Sequence, residues 1–375
     1  MRRPLALALL LGATMTMAVA PTTRAPGPND PAVVALLEPI RTRHHLPALG
    51  GAVVSSAGLG PLAVVGVRKS GTTVAATPDD LWHLGSDTKA MTAVVIAGLV
   101  ERGKLTWDTT IEAVLPKQVA NARPEFAGIT LLQLLSHRAG LVPNIAWGQV
   151  ARTPGPPSQQ RLAALAVAAT TPLSSPPGMK YEYSNLGYVV AATMAEQVAS
   201  QTWEEMIREA VFAPLGMTSA GFGGTGTLGQ IDQPWPHLGP DKPAPRNGPD
   251  EDNPPVMGPA GTVHCTLADW GRFVTDQLRG LKGLPGTILK PETYREMHTP
   301  PFGGNYAFGW LEVDRPWGGG AVDTHAGSNT MNYAVVWMAP LRDFAVLVVT
   351  NQGGAEAAAA TDEAAAALIA HRSGS

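Results

Sequence analysis

Cysteine is almost missing from this 375-residue chain: Cys265 is the only one. An intrachain disulfide is therefore impossible, and zinc sites built on two or more thiolates are excluded. Charge is also sparse, at 15% of residues, with 27 Lys and Arg against 30 Asp and Glu. No run of five or more basic residues occurs, so nucleic-acid or polybasic membrane binding has no electrostatic basis. The sequence lacks H-E-x-x-H or a comparable ligand spacing, and no metal is expected. It lacks a G-x-S-x-G elbow, which argues against an α/β-hydrolase, and it has no internal repeat. Gly221–Gly226 fits G-x-G-x-x-G, but no strand precedes it and no helix follows, so it reads as a loop and no cofactor is expected.

What is present is a core-forming composition, 45% apolar. Gly and Pro are abundant (41 and 34) and cluster around Pro154–Pro157 and between Pro234 and Gly261, as in long stiffened surface loops. The first residues read as a signal peptide: Arg2-Arg3, an apolar run from Leu5 to Leu11, then Ala18-Val19-Ala20. The expectation is cleavage within residues 1–25, export to a periplasm or the medium, and no stable membrane insertion after processing.

Pro31 to His44 has helical apolar spacing, and two β-rich runs follow at Gly51–Ser55 and Leu62–Arg68. Near the other end, Tyr306–Val313, Asn332–Ala339 and Phe344–Asn351 are again β-rich, and Ala355–His371 reads as an Ala-rich helix. Between them Thr88–Arg102, Thr130–Leu135, Gln159–Thr170, Leu186–Ser200, Thr202–Val211 and Thr266–Leu278 favour helix. The pattern implies one sheet assembled from both chain ends and flanked by helices, with a large helical insertion. The expected layout is a hydrolase domain over residues 26–370. Its sheet part comprises 26–85 and 300–370, and its mainly helical part 86–299.

Ser86-Asp87-Thr88-Lys89 opens an apolar helix, which sets Ser86 and Lys89 one turn apart on one face. That spacing offers a hydroxyl at a helix N-terminus and an amine within proton-transfer reach. The bland alternative is a serine cap with a solvated lysine. Tyr183-Ser184-Asn185 lies on a turn entering the helix near Leu186, where an aromatic turn residue with an Asn cap is the plain reading. His325-Ala326-Gly327 precedes a hairpin near the C-terminus, where a strand edge could flank a substrate. The same H-x-G pattern occurs at His83 and His237. His44-His45 read as surface residues, His137 as a structural hydrogen-bonding residue, and Cys265 as a buried thiol.

Taken in order, Ser86/Lys89, Tyr183/Asn185 and His325/Gly327 resemble the class C β-lactamase-type serine hydrolases. That family includes D-alanyl-D-alanine carboxypeptidases and β-lactamase-fold esterases. Supporting stretches are Gly103–Asp108, Ile129–Leu141 with its Leu135–Leu141 core, Pro214–Met217, Pro259–Gly261 leading to Asp269-Trp270, and Tyr306–Trp310, and the likeness covers roughly residues 31–370. The departure is His325, where β-lactamases carry Lys.

The resemblance implies an α+β/α, penicillin-binding-transpeptidase-like fold: an antiparallel sheet from both chain ends, with an all-helical insertion and the site at their junction. It implies Ser86 as acylated nucleophile, Lys89 as its proton partner, and Tyr183 as general base, made a phenolate by the Lys89 cation. Asn185, His325, Gly327 and Ser328 would bind substrate, and the backbone N–H groups of Ser86 and Ser328 would form the oxyanion hole. An unperturbed imidazole at position 325 is mostly neutral at pH 7.5 and gains charge toward pH 6. The expected partner is a small-molecule ester, peptide or lactam. An ester or small D-amino-acid peptide leads, ahead of a true β-lactamase or a binding module with little turnover.

Overall fold

The computed structural model describes residues 28–373, so the signal-peptide reading lies outside the described residues. The chain begins with α1 (Pro31–Arg43), capped by the Asp30 carboxylate, and the hairpin β1 (Ala48–Ser55) and β2 (Gly58–Gly66). The helical segment contributes α2 (Thr88–Glu101), α3 (Pro157–Thr170), α4 (Asn185–Ala199), α5 (Leu267–Leu281) and α6 (Pro291–His298). The chain then returns through β3 (Leu311–Arg315), β4 (Gly320–Ser328), β5 (Tyr333–Ala339) and β6 (Phe344–Thr350) to α7 (Ala355–Ser373).

These six strands form one antiparallel sheet in the order β2-β1-β6-β5-β4-β3, so the first and last segments of the chain pair at β1 and β6. Every residue of β6 is buried because both faces of the sheet are covered. Phe344, Val346 and Val348 point to one core with α1 and α7, while Ala345, Leu347 and Val349 point to the larger core of the helical segment. Ala357, Ala360, Ala364 and Ala365 give α7 a flat face against the sheet, and all four are buried.

Helix α2 runs through the larger core, with every residue from Thr88 to Leu99 buried. A helix apolar on all sides needs such a place, and its N-terminus meets the sheet at β4. Among the described residues, no helix is long and apolar enough to cross a membrane.

Several expectations differ in detail. The run Tyr306–Trp310 is loop, and only Leu311–Arg315 is strand. Gly309 takes φ +83° and abuts α2 so closely that a Cβ would lie 2.5 Å from Ala90 N, which breaks extended geometry. His325 sits inside strand β4 and does not merely precede a hairpin. The Pro316–Gly320 stretch before β4 hides that strand from sequence reading. Helix α6 was not anticipated, and Thr202–Val211 splits into an α-turn (Trp203–Ile207) and a π-turn from Arg208. The insertion is mainly, not wholly, helical. A short strand, Val263–Cys265, pairs there with Gly221–Phe222 on one side and Trp82–His83 on the other.

Candidate active site

Ser86 occupies a 3-10 turn, Gly85–Asp87, that leads directly into α2. It does not cap the helix: Asp87 holds the N-cap position, without a side-chain cap bond. Lys89, one turn on, is fully buried, and its Nζ donates to Ser86 Oγ (3.0 Å), Asn185 Oδ1 (2.8 Å) and Ala260 O (2.7 Å). The plain reading of a solvated lysine is therefore wrong. Ala260 is delivered to Lys89 by neighbouring anchors: Thr92 donates to Pro259 O, and Thr88 Oγ1 accepts from Val263 N.

The Tyr183–Asn185 turn is held from behind by His137. That residue takes φ +58° and accepts at Nδ1 from Ser184 N (3.1 Å), which leaves the proton on Nε2. Ser184, not Asn185, caps α4 by accepting from Gly187 N (3.1 Å). Asn185 is thereby free to face Lys89, while its Nδ2 donates to Asn144 Oδ1 (2.9 Å). Asn144, which the sequence reading missed, also accepts from Trp147 Nε1 (2.9 Å).

Strand β4 approaches the nucleophile turn more closely than side chains would permit. A Cβ on Gly327 would overlap the Leu84 carbonyl oxygen and lie 2.6 Å from Ser86 N, and one on Gly85 would overlap Ser328 N. Two glycines thus bring the backbone of Ser86 and Ser328 together, the arrangement that two converging N–H donors to an oxyanion require. Ser328 uses its hydroxyl in the following turn, donating to Asn332 O (2.7 Å). A loop closes this end: Asp252 accepts from Asn329 Nδ2 (2.8 Å) and pairs with His83 Nε2 (2.8 Å), while His83 Nδ1 accepts from Gly85 N (3.1 Å).

The electrostatics reverse one expectation. Burial pushes the Tyr183 phenol above its usual range, although a hydrogen bond with Ser86 pulls the other way. The Lys89 ammonium, 4.8 Å from the Tyr183 ring centroid, does not make this phenol a phenolate. Burial instead drives Lys89 well below the ordinary lysine range, opposed by the charge of Asp87, so its ammonium gives up a proton more readily than an ordinary lysine.

His325 also departs from expectation. It is 7% exposed, its Nε2 bonds with Tyr306 OH (3.2 Å), and its Nδ1 faces Asp87. Burial, followed by repulsion from Lys89, holds its pKa at about 3, so it gains no charge toward pH 6.

Two cavities flank these groups. One of about 670 Å³ is lined by Ser86, Asn144, Trp147, Asn185 and Ser328, and among the described residues lining it the charged ones are Asp250 and Asp252. The other, about 390 Å³, starts at Tyr183 and His325 and runs over the edge of the sheet toward α7. His237, the other distant H-x-G histidine, bonds with Asn351 O away from the site. His44 joins Glu356 and Glu363 on α7. Cys265 is buried. Among the described residues, no group of three or more His, Cys, Asp or Glu is placed to hold a metal ion.

A serine at a helix start, a buried lysine touching it and a tyrosine–asparagine turn, set between a helical segment and an antiparallel sheet, define a serine hydrolase of the β-lactamase fold. The chain belongs to the beta-lactamase family, whose model matches residues 34–371. It is similar to penicillin-binding protein 4 of Amycolatopsis lactamdurans, with 27% identity over 326 residues, 84% of this chain and 83% of that protein. Its fold matches the octameric penicillin-binding protein homologue from Pyrococcus abyssi (TM-score 0.72, 20% identity, 91% and 77% of the two chains). It matches equally the class C beta lactamase from Rhodobacter sphaeroides (TM-score 0.70, 18% identity, 92% and 99%).

Proposed function

We propose that the protein is an exported serine hydrolase that cleaves uncharged carboxylic esters through an acyl-enzyme on Ser86. One observation carries the choice of substrate: among the described residues, the cavity beside Ser86 is lined by no cation. The larger has Asp250 and Asp252 and, among the described residues lining it, no Lys or Arg. The smaller has one Arg and one Asp, Arg315 and Asp362, with the Arg315 guanidinium over the Trp337 ring. Lys89 is buried against Ser86, Asn185 and Ala260, and burial disfavours charge on His325. A lactam or a D-alanyl peptide brings a carboxylate that would find no partner, whereas an ester needs none. Export rests on Arg2-Arg3, the Leu5–Leu11 run and Ala18-Val19-Ala20.

In this reading Lys89 accepts the Ser86 hydroxyl proton as Oγ attacks the ester carbon. The developing oxyanion is met by the Ser86 and Ser328 N–H groups. Tyr183 stays a neutral phenol and relays the proton to the departing alkoxide as the C–O bond breaks. Water then attacks the acyl-enzyme, gives its proton to the same pair, and releases the acid while Ser86 is reprotonated. Asn185 fixes Lys89 and, through Asn144, the wall beside the acyl group.

The test is a panel of a short p-nitrophenyl ester, a chromogenic cephalosporin and a peptide ending in D-Ala-D-Ala. It is run with wild type and Ser86→Ala, alongside fluorophosphonate labelling. Turnover of the ester above both others, with labelling lost in Ser86→Ala, is expected. A cephalosporin or peptide hydrolysed faster than any ester overturns the reading.

A further inference from the structure

The smaller cavity has a composition unlike the one beside Ser86. Its walls include Tyr306, Val313, Val335, Trp337 and Ala358, drawn from the sheet edge and α7, and its inner end is Tyr183. The two charged residues, Arg315 and Asp362, have opposite signs, and the Arg315 guanidinium lies over the Trp337 ring at 5.5 Å. An anionic group there gains little net attraction and would have to be withdrawn from water beside tyrosines. An apolar group loses only water. The volume of about 390 Å³ falls within the range of small-molecule sites.

We infer that this cavity receives the leaving alcohol of the substrate, and that the alcohol is bulky, apolar and uncharged. The inference rests on the ester-hydrolase reading and adds the leaving-group class. Its geometric basis is the position of Tyr183. In the proposed mechanism the phenol adjoining Ser86 hands a proton to the leaving oxygen, so that oxygen points at Tyr183, and Tyr183 is also a wall of this cavity. The acyl carbon stays over Ser86, and the acyl chain extends toward Asn144 and Trp147 in the larger, amide-rich cavity. Acylation forms the bond from Ser86 Oγ to the acyl carbon and breaks the bond to the alcohol oxygen. The Ser86 proton ends on that oxygen, so the alcohol leaves neutral.

The experiment compares acetate esters of ethanol, cyclohexylmethanol and 4-hydroxybutanoate. All three give the same acetyl-enzyme, so kcat/KM isolates the acylation step. The cyclohexylmethyl ester should exceed the ethyl ester by about tenfold or more, and the carboxylate ester should fall below it. Ala358→Trp fills the cavity from α7 without touching the machinery, so it should erase that preference while leaving ethyl acetate turnover unchanged. Val313→Ala should enlarge the cavity and favour still bulkier alcohols. Equal rates for the three esters, or an Ala358→Trp loss shared by all of them, overturns the inference while ester hydrolysis stands. Absence of turnover on every ester, with Ser86 still labelled, overturns the underlying reading instead.

Discussion

Asp87 Oδ1 and His325 Nδ1 face each other at 3.6 Å, both buried and both without a hydrogen-bond partner. Asp87 precedes α2 and His325 comes from β4, so the pair spans the junction of the helical segment and the sheet. Burial raises the Asp87 carboxyl well above its usual range, and holds His325 at about 3. Burial therefore disfavours the charged form of each group. The charge on Asp87 is also what opposes the depression of Lys89. One buried carboxyl thus acts on both Lys89 and His325.

Replacing Asp87 by Asn separates these effects. Asp87 is raised in the folded state, so its favourable contribution is full below the unfolded carboxylate pKa and is lost as pH rises through the folded value. Asp87→Asn, neutral at every pH, should therefore melt higher than wild type at pH 8 and show no gain near pH 4. Loss of the carboxylate also removes what raises Lys89, so the acidic limb of kcat/KM should move to lower pH. Paired melting curves and pH–rate profiles decide. An acidic limb that stays put would separate Asp87 from Lys89.

In the proposed mechanism Tyr183→Phe removes the hydroxyl that relays a proton beside Ser86, while leaving the ring packed on His137, whose centroid is 4.3 Å away. Turnover should fall by about 10²–10⁴-fold with the melting temperature almost unchanged. Fluorophosphonate labelling, which needs only an activated Ser86, should survive. A loss under about fivefold would make Lys89 sufficient alone, and the relay would be withdrawn.

Gly327→Ala tests the approach of β4 to the nucleophile turn. The new methyl would overlap the Leu84 carbonyl oxygen and crowd the Ser86 and Asp87 amides, which must then separate from Ser328. Loss of an aligned oxyanion donor costs about 10²–10³ in kcat. The expected result is that loss in kcat, with weaker effect on KM. Unchanged kcat would remove the Ser86 and Ser328 amides from the reaction.

Local chemistry explains which parts of the site were visible in advance. Ser86 and Lys89 share one helix turn, and Tyr183 and Asn185 share one loop, so spacing alone exposes each pair. Asn144, Tyr306 and Asp252 join them only through tertiary approach, from loops whose sequences carry no periodic signal. The protonation roles were misjudged for a related reason. A sequence shows that Lys89 neighbours Tyr183, but not that both are buried, and burial acts on the two in opposite directions. The sheet followed from β-rich runs at both ends, yet β4 was missed because its sequence (GAVDTHAGS) is too polar and Gly-rich to read as a strand.

Arg161 on α3 supplies the last test, which concerns what keeps the helical segment assembled. The side chain is fully buried and bonds Glu196 on α4 through Nε (3.1 Å) and both Glu204 oxygens (3.0 and 2.8 Å). Glu196 in turn accepts from Trp203 N (2.8 Å), so three helices converge on one guanidinium. Removing the cation alone leaves the buried Glu196 carboxylate and the partly exposed Glu204 carboxylate facing each other, and breaking a fully buried pair costs about 3–5 kcal/mol, an upper bound here. Arg161→Met should therefore lower the denaturation midpoint by an amount of that order. Adding Glu196→Leu and Glu204→Leu to it should restore much of the loss, since a packed apolar triad has no stranded charge. The site should respond only through stability: below its own melting point, Arg161→Met should still label Ser86 at the wild-type rate. A single variant as stable as wild type would show that the carboxylates find solvent or protons without the arginine. A triple variant no better than the single one would show that the network is needed for register between the helices and not for charge balance.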